Sequence, residues 1–204
     1  MKLKSLILLA ALIIGGGCSC DCEDYPNYYD VTGINADTHI LAKRLGNQTE
    51  SEYLLAINEK VDYDKLIIRL KPSMTYYGER RKSRGFSFVN SAYACKCSEG
   101  YPGWMGSKEQ LSEIKIYSDT AFNPGGHSSD LLNQYFEIAD MTGDTYDKFF
   151  DIDALLATKP LISLSIRLRL KAKPTGSLNH KFTIHYKLTN GEFYTATTQE
   201  IIFN

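Results

Sequence analysis

Two C-x-C pairs, Cys20 with Cys22 and Cys95 with Cys97, are the residues of this 204-residue chain whose type and spacing offer chemistry most directly. Thiols in that number can hold a zinc ion or oxidise to disulfides. Structural zinc sites usually leave two to four residues between cysteines and favour reducing compartments, which counts against the metal. A bridge within one pair would close a small strained ring. Strand residues two apart lie about 6.6 Å from each other, whereas a disulfide prefers about 5.5 Å between Cα atoms. Pairing one C-x-C against the other avoids the strain. It closes a loop of about 75 residues, with roughly 3 to 5 kcal/mol of stabilisation from the first closure. Four cysteines allow three connectivities, of which cross-pairing is the expected one. The even count requires that the fifth cysteine, Cys18, be used elsewhere.

The first 24 residues, MKLKSLILLAALIIGGGCSCDCED, indicate that use. Lys2 and Lys4 form a basic region, Leu6 to Ile14 an apolar one, and Gly15, Gly16 and Gly17 a small-residue stop, which is the layout of a secretory signal. The apolar run is too short to span a bilayer. A cysteine directly after such a stop resembles the lipobox of bacterial lipoproteins, in which the signal is cut before the cysteine and Cys18 carries the lipid. Gly17 fits that pattern, while Gly15 stands where an aliphatic residue is preferred. Lipidation at Cys20 is the second reading and secretion without lipid the third. Ser19 replaces the aspartate that holds enteric lipoproteins at the inner membrane. Asp21, Glu23 and Asp24 resemble the signal that sends Bacteroidetes lipoproteins to the outer face of the outer membrane; a solvated acidic tether is the plainer account of them.

Catalytic signals are sparse. His39, His127, His180 and His185 are scattered, without an H-E-x-x-H motif or metal-ligand spacing from the cysteines, so no metal or cofactor is expected. His180 and His185 would face opposite sides of one strand. His127, Ser128 and Asp130 share a loop, but residue types alone do not make a triad. Asp140, Asp144, Asp147, Asp151 and Asp153 do not follow calcium-loop spacing and read as solvated helix-start carboxylates. Arg80, Arg81, Lys82 and Arg84 are either a solvated loop or an anion-binding tip for phosphate or acidic glycan. Tyr101 and Trp104, in YPGWMG, are either a cap on the disulfide end of the core or a platform for a sugar face. Asp119-Thr120-Ala121 resembles the signal at which Bacteroidetes O-glycosylate exported proteins, with Thr120 as acceptor.

The elements that must position these residues are mostly strands. In 161 to 172, Ile162, Leu164, Ile166, Leu168 and Leu170 alternate with polar residues, a half-buried strand with one wet face. Phe182, Ile184, Tyr186 and Leu188 alternate next, and Asn190-Gly191 predicts a two-residue type I′ hairpin into 192 to 203. Strands are also expected at 65 to 71, 85 to 97 and 113 to 117, with a weaker one at 31 to 40. Two helical stretches are expected, one from Ser129 through Phe136 and one from Asp144 or Thr145 to Pro160. About seven strands predict a mainly β, antiparallel two-layer sandwich, immunoglobulin-like, with one or two short helices in a crossover. Removing residues 1 to 17 takes away Lys2 and Lys4, so the net charge moves from -1 to -3, and nothing points to nucleic acid. The expected division is a signal peptide at 1 to 17, a lipidated tether at 18 to 30 and a single sandwich domain at 31 to 204.

With its lipid cysteine, its AYAC strand, its IYSDTAFNPGG segment and its hairpin-ended C-terminus, the chain resembles uncharacterised Bacteroidetes envelope lipoproteins of about 200 residues. The resemblance implies an envelope β-sandwich and transfers no active site. The expectation is a non-catalytic outer-membrane or cell-surface lipoprotein, membrane-bound through its lipid, that binds a glycan or an envelope protein. The alternative is an envelope enzyme, such as a glycan hydrolase, with its site on the sandwich loops. A histidine hydrogen-bonded to a serine, or a buried carboxylate pair, would favour that alternative.

Overall fold

A computed structural model of the chain describes residues 26–43, 50–78, 102–103, 105–139, 148–160, 162 and 165–204. Of these, 53% are strand and 8% helix, so the chain is mainly β, as its alternation predicts. Among the described residues the strands are Tyr28–Lys43 (β1), Glu50–Leu54 (β2), Lys60–Val61 (β3), Leu66–Tyr77 (β4), Leu111–Ser118 (β5) and Phe136–Ala139 (β6). They continue as Phe149–Asp151 (β7), Ile166–Leu170 (β8), Asn179–His180 (β9), Phe182–Leu188 (β10), Phe193–Thr197 (β11) and Ile201–Phe203 (β12). One α-helix, Ile152–Leu156 (α1), and 3-10 turns at Tyr63–Lys65 and Asn133–Tyr135 complete them.

One layer is a six-stranded antiparallel sheet in the order β2-β1-β4-β8-β6-β7. The second is built on β11-β10-β5 and on β3-β12-β9. These two ladders continue one another. Phe182 N–H donates to Thr198 Oγ1 at 3.0 Å and Thr198 N–H to Phe182 O at 2.9 Å, so β9–β10 and β11–β12 are two long strands interrupted at one place. Such splitting, with the short β2, β3 and β7, explains why more strands occur than the seven expected. Inward residues of both layers form one core, in which Phe136 of β6 meets Phe182 of β10 edge to face at 5.3 Å.

Alternation gave β8 and β10 directly: Ile166, Leu168 and Leu170 are buried, as are Phe182, Ile184, Tyr186 and Leu188. β1 is longer than expected and begins at Tyr28, inside the segment assigned to the tether. It pairs with β4 from Tyr28–Tyr77 to Ile40–Leu66, which holds its polar, glycine-containing sequence in a strand. Pro72 is tolerated in β4 because β8 pairs only as far as Leu70, so no ladder on that side needs its missing N–H.

Three local expectations fail for physical reasons. The final hairpin has a three-residue loop: Leu188 N–H donates to Glu192 O at 2.9 Å and Gly191 N–H to Leu188 O at 3.1 Å. Gly191 has φ +93 while Asn190 does not enter the left-handed region that a type I′ turn demands. This loop pairs His185 with Thr195 and leaves Ala196 facing the core, whereas a two-residue loop would turn Ala196 outward. Next, among the described residues the expected helix ending at Pro160 is only α1; Phe149 and Phe150 before it pair with β6 as β7, and 144–147 lie outside the described residues. The stretch after Ser129 is also no α-helix, because the 3-10 turn at 133–135 runs straight into β6.

Candidate functional site

The exposed face of the second layer carries an aromatic row. On β5, β10 and β11 the inward positions are apolar apart from Ser118, so the alternating partners Glu113, Lys115 and Tyr117, then Thr183, His185 and Lys187, then Phe193, Thr195 and Thr197 share the outer side. Register sets them in line. The ring centroids of Tyr117 and His185 are 5.0 Å apart, as are those of His185 and Phe193, forming a diagonal across three hydrogen-bonded strands. Phe193 is 52% exposed. Threonines 183, 195 and 197 supply hydroxyls beside the rings, and Lys115 is paired to Glu113 at 2.8 Å. The rings are inclined to one another, Tyr117 to His185 by 58° and His185 to Phe193 by 70°, so the row offers one phenol, one imidazole and one phenyl ring flanked by hydroxyls, groups that can meet both the apolar faces and the hydroxyls of a sugar chain.

The sequence-predicted Tyr101, Trp104, Arg80, Arg81, Lys82 and Arg84 lie outside the described residues, as do Cys18, Cys20, Cys22, Cys95 and Cys97 and the expected strand at 85 to 97. The segment around Trp104 is partly described. Gly103 N–H donates to Pro26 O at 2.7 Å and Met105 N–H to Asn27 O at 2.9 Å, which lays Gly103 and residues 105–107 along the start of β1. Gly103, at φ +75, leaves no room for a Cβ, which would meet the Tyr29 ring at 2.7 Å and the Tyr76 ring at 2.9 Å. Nearby, the rings of Tyr28 and Tyr77 stack at 6.1 Å, with Lys108 Nζ 5.4 and 5.0 Å from their centroids. Thr120 is partly buried; its hydroxyl donates to Asn179 O at 2.7 Å.

His180 and His185 do face opposite sides of one strand path. His180 is buried among Phe122, Phe182 and Phe203. Its Nε2 lies 2.8 Å from Ser177 O, which can only accept, so Nε2 carries the proton and Nδ1 accepts from Ser118 Oγ at 2.7 Å. Burial holds the imidazole below its usual pKa, so it stays neutral. This is a serine bonded to a histidine, but both side chains are buried. A nucleophile needs substrate within reach, and this pair meets core rings instead.

The polar face expected to be wet on β8 is partly covered: Arg169 and Lys171 meet solvent, whereas Arg167 scarcely does. Glu52 of β2 is held by both Arg69 of β4 and Arg167 of β8, with the Glu52 and Arg167 side chains only 12% and 11% exposed. Arg169 meets Glu137 at 2.7 Å and lies 4.0 Å from the Phe149 ring centroid. His39, on the same side of the sheet, is buried with neither ring nitrogen hydrogen-bonded among the described residues, and burial followed by the Arg69 charge lowers its pKa. Asp151 pairs with Lys171 at 2.5 Å, and Asp153 stands in the first turn of α1; both border a shallow groove of about 570 Å³ with Leu131 and Asn133.

Fold and surface together define an antiparallel β-sandwich with an exposed aromatic row on one sheet. No protein-family model, curated protein or solved structure matches the chain.

Proposed function

We propose that the chain is a lipid-anchored envelope protein of the outer membrane, of the kind found in Bacteroidetes, that binds glycan through the outer face of β5, β10 and β11. The observation that carries the reading is the row Tyr117, His185 and Phe193, with successive centroids 5.0 Å apart on a rigid sheet. Sequence supports the anchor: a basic and apolar signal ends in three glycines directly before Cys18. A tether of about ten residues would then separate the lipid from β1, which leaves the domain outside the bilayer with its loops and outer faces in solvent. An envelope protein is the other class of partner such a face could serve.

The enzyme reading keeps one observation in its favour, the Ser118 hydroxyl on His180 Nδ1. Its burial makes that pair a better structural cross-link than a reacting centre. Two measurements on the full chain test the proposal. Metabolic lipid labelling should mark the wild type and not Cys18→Ala, and a glycan array should retain the wild-type chain. Lipid on Cys18→Ala refutes the anchor, and an array without binding refutes the ligand class.

A further inference from the structure

Where the tether reaches the domain, β1 and β4 form an arm of their own. They pair from Tyr28–Tyr77 onward, but β8 joins β4 only as far as Leu70 and β2 joins β1 only from His39. Among the described residues, 28–35 and 71–77 are therefore a two-stranded extension of the six-stranded sheet. Its end is closely built. Pro26 O accepts from Gly103 N–H at 2.7 Å and Asn27 O from Met105 N–H at 2.9 Å, so the point at which the tether arrives is fixed. A Cβ on Gly78, at φ +142, would come within 2.9 Å of Asn27 N, so the end of β4 lies against the same point.

The side chains gathered there are amphipathic. Tyr28 stacks on Tyr77, Tyr76 meets Tyr29 edge to face at 6.3 Å, and Lys108 Nζ stands over the first pair. Tyr76 and Met105 are each 43% exposed. Tyrosine, with an apolar ring and a polar rim, and lysine, with a charge on an apolar stem, are the residue types that suit the boundary between hydrocarbon and headgroups.

We infer that this tip, through Tyr28, Tyr76, Tyr77, Met105 and Lys108, rests against the headgroups of the lipid surface in which Cys18 is anchored, with the Lys108 ammonium at a headgroup phosphate. The inference rests on the anchor proposed above and is independent of the glycan reading. Covalent geometry selects the bilayer over other partners. The eight residue steps from Cys18 to Pro26 span at most about 29 Å, so the lipid holds the tip close to the membrane at all times. A patch confined in this way meets that surface at an effective concentration on the order of millimolar, and contacts too weak to bind from solution then suffice. The hydrogen bonds that fix the tip beforehand keep the ordering cost of docking small.

The test compares hydrogen exchange in the lipidated full chain on phosphatidylcholine vesicles with that of Cys18→Ala in solution. Peptides covering 72–78 and 105–109 should exchange about threefold or more slowly on the vesicles, whereas 178–184, at the far end of β5 where Phe182 pairs with Ser118, should not change. Met105→Asp alters an exposed side chain, so this variant should stay on the vesicles through its lipid yet lose most of the protection at 72–78. A lipidated, vesicle-bound wild type whose tip exchanges as fast as in Cys18→Ala overturns the inference and leaves the anchor standing. So does a Met105→Asp chain that keeps full protection. A wild type that carries no lipid refutes the anchor and the inference together.

Discussion

Ser118 Oγ lies 2.7 Å from His180 Nδ1 with both side chains buried, so the bond joins β5 to the β9–β10 strand inside the sandwich. Ser118→Ala would leave the imidazole nitrogen to Thr120, whose hydroxyl is already 2.7 Å from Asn179 O. Loss of a buried hydrogen-bond partner costs about 1 to 2 kcal/mol. Urea denaturation should therefore show a lower midpoint with an unchanged slope. A fluorophosphonate probe should leave the wild-type Ser118 unlabelled, and labelling there would favour the enzyme reading.

Acid should destabilise the fold through its buried histidines. Burial lowers the pKa of both His39 and His180 in the folded chain, so the unfolded chain binds their protons first as pH falls. Stability is then level above about pH 6.5 and declines below it. At His39 the charges of Arg69 and Lys71 also oppose protonation, while Glu52 and Asp37 favour it. His39→Leu removes a ring with no hydrogen-bond partner among the described residues. Melting curves between pH 7 and 5 should show a shallower decline for this variant than for the wild type.

The Glu52 carboxylate joins β2, β4 and β8 across the strand β1 that separates β2 from β4. Glu52→Gln leaves Arg69 and Arg167 without that charge on a largely covered face, at a cost of about 2 to 3 kcal/mol. Asp37→Asn breaks a solvent-exposed pair with Lys71 and should change stability by less than about 1 kcal/mol. Chemical denaturation of both variants decides whether coverage, rather than the number of ion pairs, sets the effect.

Legibility followed periodicity. Strict alternation marked β8 and β10 because their inward faces are continuous and apolar. β1 was harder to read: Gly33, Asn35 and Asp37 weaken its local signal, and its strand conformation is imposed by pairing with β4. Phe149 and Phe150 look helical beside Ile152 and Leu155, yet Phe149 is placed by the arginines of β8 that it covers. The aromatic row was hidden for a related reason. Tyr117, His185 and Phe193 are adjacent only through strand pairing, and the Asn190-Gly191 signal suggested a loop one residue too short. The usable clue was parity, since each stands at an outward position of its own strand. The cysteines, the basic run and Trp104 lie outside the described residues.

Glycan binding at the outer face of β5, β10 and β11 is the central claim, and titration of the full chain with a glycan that it retains, by isothermal calorimetry, tests it most directly. Phe193 is exposed and, among the described rings, packs only against His185, so Phe193→Ala should leave the melting temperature close to that of the wild type. The account predicts that this variant, and Tyr117→Ala with it, binds about tenfold or more weakly. Equal affinity of wild type and both variants for the same glycan would contradict it.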